Sequence, residues 1–134
     1  VKNLIRIISS PFVVLALAMC SQGQNDLPKA ADVSPQVFHQ MIDSLEDEQL
    51  LDVRTAREWA SGTLPNAITI NWHDPQFKKE VQKLDKDRVV LVYCAVGGRS
   101  RRAMDELKKM GFKEIYNLTG GINAWKRMNY EVDR

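Results

Sequence analysis

The sequence predicts an α/β domain in which a central, mostly parallel sheet is flanked by helices. Two observations carry that expectation. Short apolar runs such as Gln49-Leu50-Leu51-Asp52-Val53 and Val89-Val90-Leu91-Val92-Tyr93 have the length and side-chain content of buried strands. Between them lie segments whose apolar residues recur at helical spacing, and repeated strand–helix alternation favours a parallel sheet covered on both faces. A third observation agrees: Arg54 and Cys94 stand at the ends of two of these strands, where such folds place binding groups.

Taken in order, the folded unit is expected to begin near Val33. Ser34-Pro35 opens a helix, with serine as the cap and proline in the first turn, and Val37, Phe38, Met41, Ile42 and Leu45 form its apolar face. The strand Gln49–Val53 follows, then a short helix capped by Thr55. Residues 67–70 read as another strand. Asp74-Pro75 opens a helix whose apolar side is Phe77, Val81 and Leu84. After the strand at residues 89–93, a helical pattern begins at Arg99 and Ser100 and stops at Gly111, a residue suited to a left-handed helix end. Glu114-Ile115-Tyr116-Asn117-Leu118 supplies a further strand, and residues 122–128 a terminal helix.

A chain of 134 residues with 44% hydrophobic and 27% charged side chains is one globular domain with a core of its own. Its formal charge of +2 comes from the first segment: 19 basic residues less Lys2 and Arg6 leave 17, equal to the 17 acidic ones. That balance predicts no nucleic-acid partner. The first segment reads as a targeting signal, with Lys2 and Arg6 ahead of the apolar stretch from Phe12 to Met19, too short for a membrane span. Residues 1–20 are therefore expected to be a signal peptide or lipoprotein signal, 21–32 a linker, and 33–134 the domain. Leu17-Ala18-Met19-Cys20 resembles a bacterial lipoprotein cleavage motif, although methionine stands where a small residue is usual. Lipidation of Cys20 and a periplasmic or cell-envelope location are the matching expectations.

The chemistry centres on Cys94-Ala95-Val96-Gly97-Gly98-Arg99-Ser100. A free cysteine is most often a buried, inert thiol. Here the thiol leaves a strand into a turn that two glycines let curl tightly, ahead of a helix start. Backbone N–H groups there converge on an anion and favour the thiolate, the nucleophilic form. Arg99 is the candidate for electrostatic substrate binding, and Ala95, Val96, Gly97, Gly98 and Ser100 complete the candidate cradle. Asp52, Arg54 and Glu58 are candidate orienting residues, Asp52 by anchoring backbone groups and Arg54 by pairing with Glu58 four residues on. Neither histidine joins Cys94 in a readable dyad, and two distant cysteines define no metal site.

Several ordered motifs make residues 33–132 resemble the single-domain rhodanese family of sulfurtransferases. Leu51-Asp52-Val53-Arg54 with Glu58-Trp59, Gly62-Thr63-Leu64-Pro65-Asn66-Ala67-Ile68, the Cys94–Ser100 loop, and Gly120-Gly121-Ile122-Asn123-Ala124-Trp125 fall in the family's order. Thr63 and Asn66 depart from its usual histidine and glycine; Asn66 tolerates the turn conformation glycine would supply. The resemblance implies a rhodanese-like fold and transfer of sulfane sulfur from a small anionic, thiosulfate-like donor to a thiol, cyanide or acceptor protein. The sulfur would travel as a persulfide on Cys94, with no cofactor. Four residues separate Cys94 from Arg99, as in sulfurtransferases, whereas related dual-specificity phosphatases have five. A phosphatase-like enzyme and a noncatalytic binding module of the same fold are the alternatives.

If Cys20 is lipidated, a membrane extract will contain an acylated mature chain beginning at that residue. Recovery from cells of chain retaining residues 1–19, without acyl modification, would contradict both lipidation and secretion.

Overall fold

The computed structural model describes residues 29–134; the expected signal, Cys20 and residues 21–28 lie outside the described residues. Five strands, β1 (Lys29–Val33), β2 (Gln49–Asp52), β3 (Ile68–Thr69), β4 (Val90–Tyr93) and β5 (Glu114–Leu118), form one sheet in the order β1-β5-β4-β2-β3. All of its strand pairs are parallel. The helices are α1 (Pro35–Ser44), α2 (Ala56–Trp59), α3 (Phe77–Val81), α4 (Gly98–Lys109) and α5 (Gly121–Arg127). The α/β fold with a parallel sheet is thus as the sequence predicts.

The first strand corrects one expectation. Residues 29–32, assigned to the linker, are most of β1, which adds to the sheet edge alongside β5. Its mostly exposed and half-buried side chains carry no apolar run, so backbone pairing rather than side-chain burial holds it. Two smaller corrections concern helix starts. Gln76, not Asp74, occupies the position before α3, although Asp74 Oδ1 accepts the Gln76 N–H at 2.7 Å. Helix α4 begins at Gly98, ahead of Arg99.

Helices α1 and α4 bury the centre of the face their spacing defines, whereas Val37 of the expected α1 face is 42% exposed and α2 has no buried residue. In α1, Ser34 Oγ accepts the Val37 N–H at 3.3 Å, Pro35 sits in the first turn, and Phe38 is fully buried. In α4, Ser100, Ala103, Met104 and Leu107 form one buried stripe. Phe38, Leu50, Leu64, Leu91, Tyr93, Leu118, Ile122 and Trp125 make the core on one side of the sheet. Leu51, Val53, Val90, Val92, Ala103, Met104, Leu107 and Ile115 belong to the other. Successive residues of β2 and β4 feed opposite cores, as a strand's alternating side chains require.

Buried polar groups at β2 are matched. Gln49 brackets Asp85, donating to its carbonyl at 2.8 Å and accepting its N–H at 2.7 Å. Beyond the end of β2, Arg54 is 2% exposed and fully engaged with Asp52: Nη2 to Oδ2 at 2.7 Å and Nε to Oδ1 at 3.0 Å. Arg54 Nη2 also donates to the Gly62 carbonyl at 2.6 Å, and its guanidinium lies 5.7 Å from the Tyr93 ring centroid. The expected side-chain pair of Arg54 with Glu58 is therefore corrected. The carboxylate two residues away is buried with Arg54, and only the Glu58 main-chain carbonyl receives it, at 3.3 Å.

Removing one partner of a buried ion pair strands the other charge in a low dielectric. Arg54→Ala is expected to cost about 3–5 kcal/mol in urea unfolding, while Lys83→Ala, at an exposed pair, leaves the midpoint in place. Equal tolerance of both substitutions would contradict this account of the buried pair.

Candidate active site

The strand order reverses direction between β2 and β4: the chain leaves β2 toward β3 at one edge and leaves β4 toward β5 on the other side. Loops splay apart at such a point and leave a crevice at the strand C-terminal ends. The segment after β4 carries Cys94, and the segment after β2 carries α2 with Glu58.

The chain turns sharply after Cys94 because Gly97 adopts φ +102°, a left-handed conformation that directs the backbone into α4. The loop is backed by α5: Ile122 N–H donates to the Cys94 carbonyl at 2.9 Å and Asn123 N–H to the Ala95 carbonyl at 3.1 Å. Such close seating requires Gly121, where a Cβ would collide with the Cys94 carbonyl oxygen and the Ala95 main chain. The sulfur then receives donors from the loop itself. Gly97 N–H lies 3.1 Å and Ser100 Oγ 3.2 Å from Sγ. Burial raises the Cys94 pKa, but the Ser100 hydroxyl and the N–H groups of Ser100, Gly97 and Val96 outweigh it, leaving the thiol below its ordinary value. The geometry stabilises a thiolate.

The cradle does not leave the sulfur open to solvent. Val96 at the loop tip is 67% exposed, yet Cys94 is only 1% exposed. The donors that curl around the sulfur also cover it.

Arg99 projects from the first turn of α4 and is held by Glu58. Its Nη2 donates to Oε1 at 2.6 Å and its Nη1 to Oε2 at 2.8 Å, a bidentate pair. Thr55 N–H and Oγ1 also donate to Glu58 Oε2, at 3.0 and 2.9 Å, closing a capping box on α2. One carboxylate thus starts a helix and fixes the guanidinium beside the loop. The Arg99 hydrogen bonds, aided by those from Thr55, hold the Glu58 carboxyl down to about 2 against the opposing effect of burial.

Asp52 accepts the Arg54 N–H at 3.0 Å, which agrees with an anchoring role. Asp52 and Arg54 are buried and reach the site only by shaping the turn that carries Glu58. Gly98 is exposed, Ala95 and Gly97 are half-buried, and Ser100 is buried. Arg101 is drawn to Asp32 of β1, Nη1 to Oδ2 at 2.6 Å. Sequence reading missed Asp32 and Asn117, which meet the loop from β1 and β5. A buried polar residue within the apolar pattern of β5 was the available signal. Among the described residues, no group of three or more His, Cys, Asp or Glu side chains is placed to hold a metal ion.

The structure is a parallel α/β domain in which a central strand leads into a cysteine whose sulfur meets N–H and O–H donors. The family model described as Rhodanese-like domain matches residues 34–128, and the chain belongs to the rhodanese family. It is 34% identical over 96 residues to a sulfurtransferase of Allochromatium vinosum, covering 72% of this chain and 88% of that protein. It is 34% identical over 119 residues to the adenylyltransferase and sulfurtransferase UBA4 of Debaryomyces hansenii, covering 81% of this chain but 26% of that longer protein. The crystal structure of a rhodanese-related protein from Thermoplasma volcanium superposes with a TM-score of 0.68 at 26% identity, covering 77% of this chain and 97% of that one. Homology to these sulfurtransferases supports sulfur transfer as the general function.

The Glu58 pKa has a consequence for stability. Its folded value lies below the ordinary 4.5, so the paired carboxylate contributes fully above pH 4.5, and the contribution is lost as pH falls toward 2. Glu58→Gln keeps an acceptor for the capping box while removing the charge. The variant is expected to lose stability at neutral pH and to show a flatter stability–pH curve in that acid window. An unchanged slope in urea titrations across the window would show the pair to be energetically idle.

Proposed function

We propose that the protein is a sulfurtransferase that carries sulfane sulfur as a persulfide on Cys94, taking it from a small thiosulfate-like anion. The observation that carries this reading is the convergence of N–H and O–H donors on Sγ, with the Cys94 thiol below its ordinary pKa. The Cys94 thiolate attacks the outer sulfur of the donor. The S–S bond breaks, its electron pair leaves on sulfite, and Cys94 keeps the transferred sulfur as S–S⁻. An acceptor thiolate, cyanide or protein thiol then attacks the terminal sulfur and regenerates the Cys94 thiolate. Charge and atoms balance in both steps, and the donors that stabilise the thiolate serve the persulfide anion equally.

Arg99 adds positive charge at the loop, and Glu58 fixes its direction. Because Cys94 is 1% exposed, donor entry requires the loop tip around Val96 to move aside. In this reading the domain works in the periplasm or at the cell envelope, attached through an acylated Cys20. The same burial of Cys94 favours a second reading, a noncatalytic rhodanese-like module that keeps the fold without turnover.

Incubation with thiosulfate followed by intact-mass measurement separates the two. Sulfur transfer predicts one added sulfur on the chain and stoichiometric sulfite, both abolished in Cys94→Ser and the added sulfur removed by cyanide. A chain that gains no sulfur from thiosulfate, and releases no sulfite, supports the binding module instead.

A further inference from the structure

Strand β5 holds an anomaly. Ile115 and Leu118 are buried and apolar, but Asn117 between them is 2% exposed. Its Nδ2 donates to Asp32 Oδ1 at 2.8 Å and, in a longer contact, to the Gly97 carbonyl at 3.4 Å. Its Oδ1 is buried without a hydrogen-bond partner. A buried acceptor left unpaired is costly, and an apolar side chain at this position would avoid the cost.

The orientation of the amide is dictated by its neighbours. Asp32 stands directly opposite Asn117 in the β1–β5 register, and a carboxylate only accepts. Turning the amide over would set Oδ1 against both that carboxylate and the Gly97 carbonyl. Asn117 therefore keeps a donor aimed at the loop, at the expense of its own oxygen.

The Gly97 carbonyl is where this donor matters. It accepts the Arg101 N–H at 3.1 Å and lies 3.2 Å from Ser100 Oγ. Ser100 Oγ is also 3.2 Å from Cys94 Sγ. The hydroxyl has one hydrogen, so the carbonyl and the sulfur compete for it. We propose that Asn117 is a positioning residue for Cys94: its donation to the Gly97 carbonyl satisfies the competing acceptor and leaves the Ser100 hydroxyl to donate its hydrogen to the sulfur. This inference rests on the reading of Cys94 as the reacting thiolate. The net lowering of the Cys94 pKa, to which the Ser100 hydroxyl is the largest favourable contributor, agrees with it.

The ion pairs on elements packed around the loop are Arg99 of α4 with Glu58 of α2, Arg101 of α4 with Asp32 of β1, and the buried Asp52–Arg54 pair after β2; Arg102 of α4 and Lys126 and Arg127 of α5 are further cations on those elements. Substituting Asn117 adds and removes no charge; it does withdraw a donor from Asp32 Oδ1, an effect that would persist in a Ser100→Ala background. A change in Cys94 titration would then report the hydrogen-bond path rather than a new charge.

The test is a pH titration of thiolate ultraviolet absorbance on the full chain, differenced against Cys94→Ser to remove the Cys20 signal. Asn117→Leu and Asn117→Ala are expected to raise the Cys94 midpoint and cut the thiolate fraction below that midpoint by roughly tenfold, about one pH unit. In a Ser100→Ala background the same substitutions should lose most of that shift, because the hydrogen they redirect is gone and only the effect through Asp32 persists. An unmoved midpoint overturns the proposal, and so does a shift that adds in full to that of Ser100→Ala. Thermal unfolding checks each variant. If Asn117→Leu does not fold, Asn117→Ala, which adds no bulk, decides; failure of both to fold assigns Asn117 to stability alone and overturns the proposal. The titration uses no sulfur donor, so its failure is distinguishable from a failure of sulfur transfer.

Discussion

A sulfur anion inside a protein survives only if donors replace the water it has lost. That constraint organises this molecule. Cys94 is almost wholly covered, and its sulfur is met by the Gly97 N–H and the Ser100 hydroxyl. Neither donor would reach it if the chain after β4 did not reverse at a left-handed glycine and run straight into α4. The reversal is itself clamped from behind, where the first N–H groups of α5 take up the Cys94 and Ala95 carbonyls. Gly121 is part of the same constraint, since any side chain there would push the two segments apart.

The sheet order explains why partners distant in sequence gather at this loop. Because β4 lies between β5 and β2, its C-terminal end is flanked by the segments that follow both. From one side comes Glu58, which orients Arg99; from the other come Asp32 and Asn117, which hold Arg101 and the Gly97 carbonyl. Both nearby guanidinium groups are matched by carboxylates. The loop is therefore held by charge pairs at its two flanks, while its own main chain faces the sulfur. Beneath it, the buried Asp52–Arg54 pair fixes the turn from which α2 and Glu58 project.

What the sequence disclosed and what it hid divide along physical lines. Local signals were legible. Ser34-Pro35 and Thr55 announce helix starts through capping, which needs no distant partner. The run before Cys94 announces a buried strand by its composition alone, and the glycines after Cys94 announce a tight turn. Long-range pairings were not legible. Strand β1 has no apolar alternation and owes its place to β5, more than 80 residues on. Glu58 sits at helical spacing from Arg54, yet a buried Asp52 takes that arginine and leaves Glu58 for Arg99, 41 residues away. The covering of Cys94 was hidden as well, because it depends on loop donors that close around the sulfur and on a loop that α5 clamps from behind.

The donors around Sγ suit this loop to negative charge carried on sulfur at position 94. The most direct measurement is a crystal structure of the chain after loading with sulfane sulfur. The expected result is an added sulfur bonded to Cys94 Sγ, inside the loop and within hydrogen-bond distance of its main-chain N–H groups, with the Arg99–Glu58 pair intact beside it. An added sulfur directed away from those donors, or a loop that must unwind from α5 to hold it, would contradict that fit.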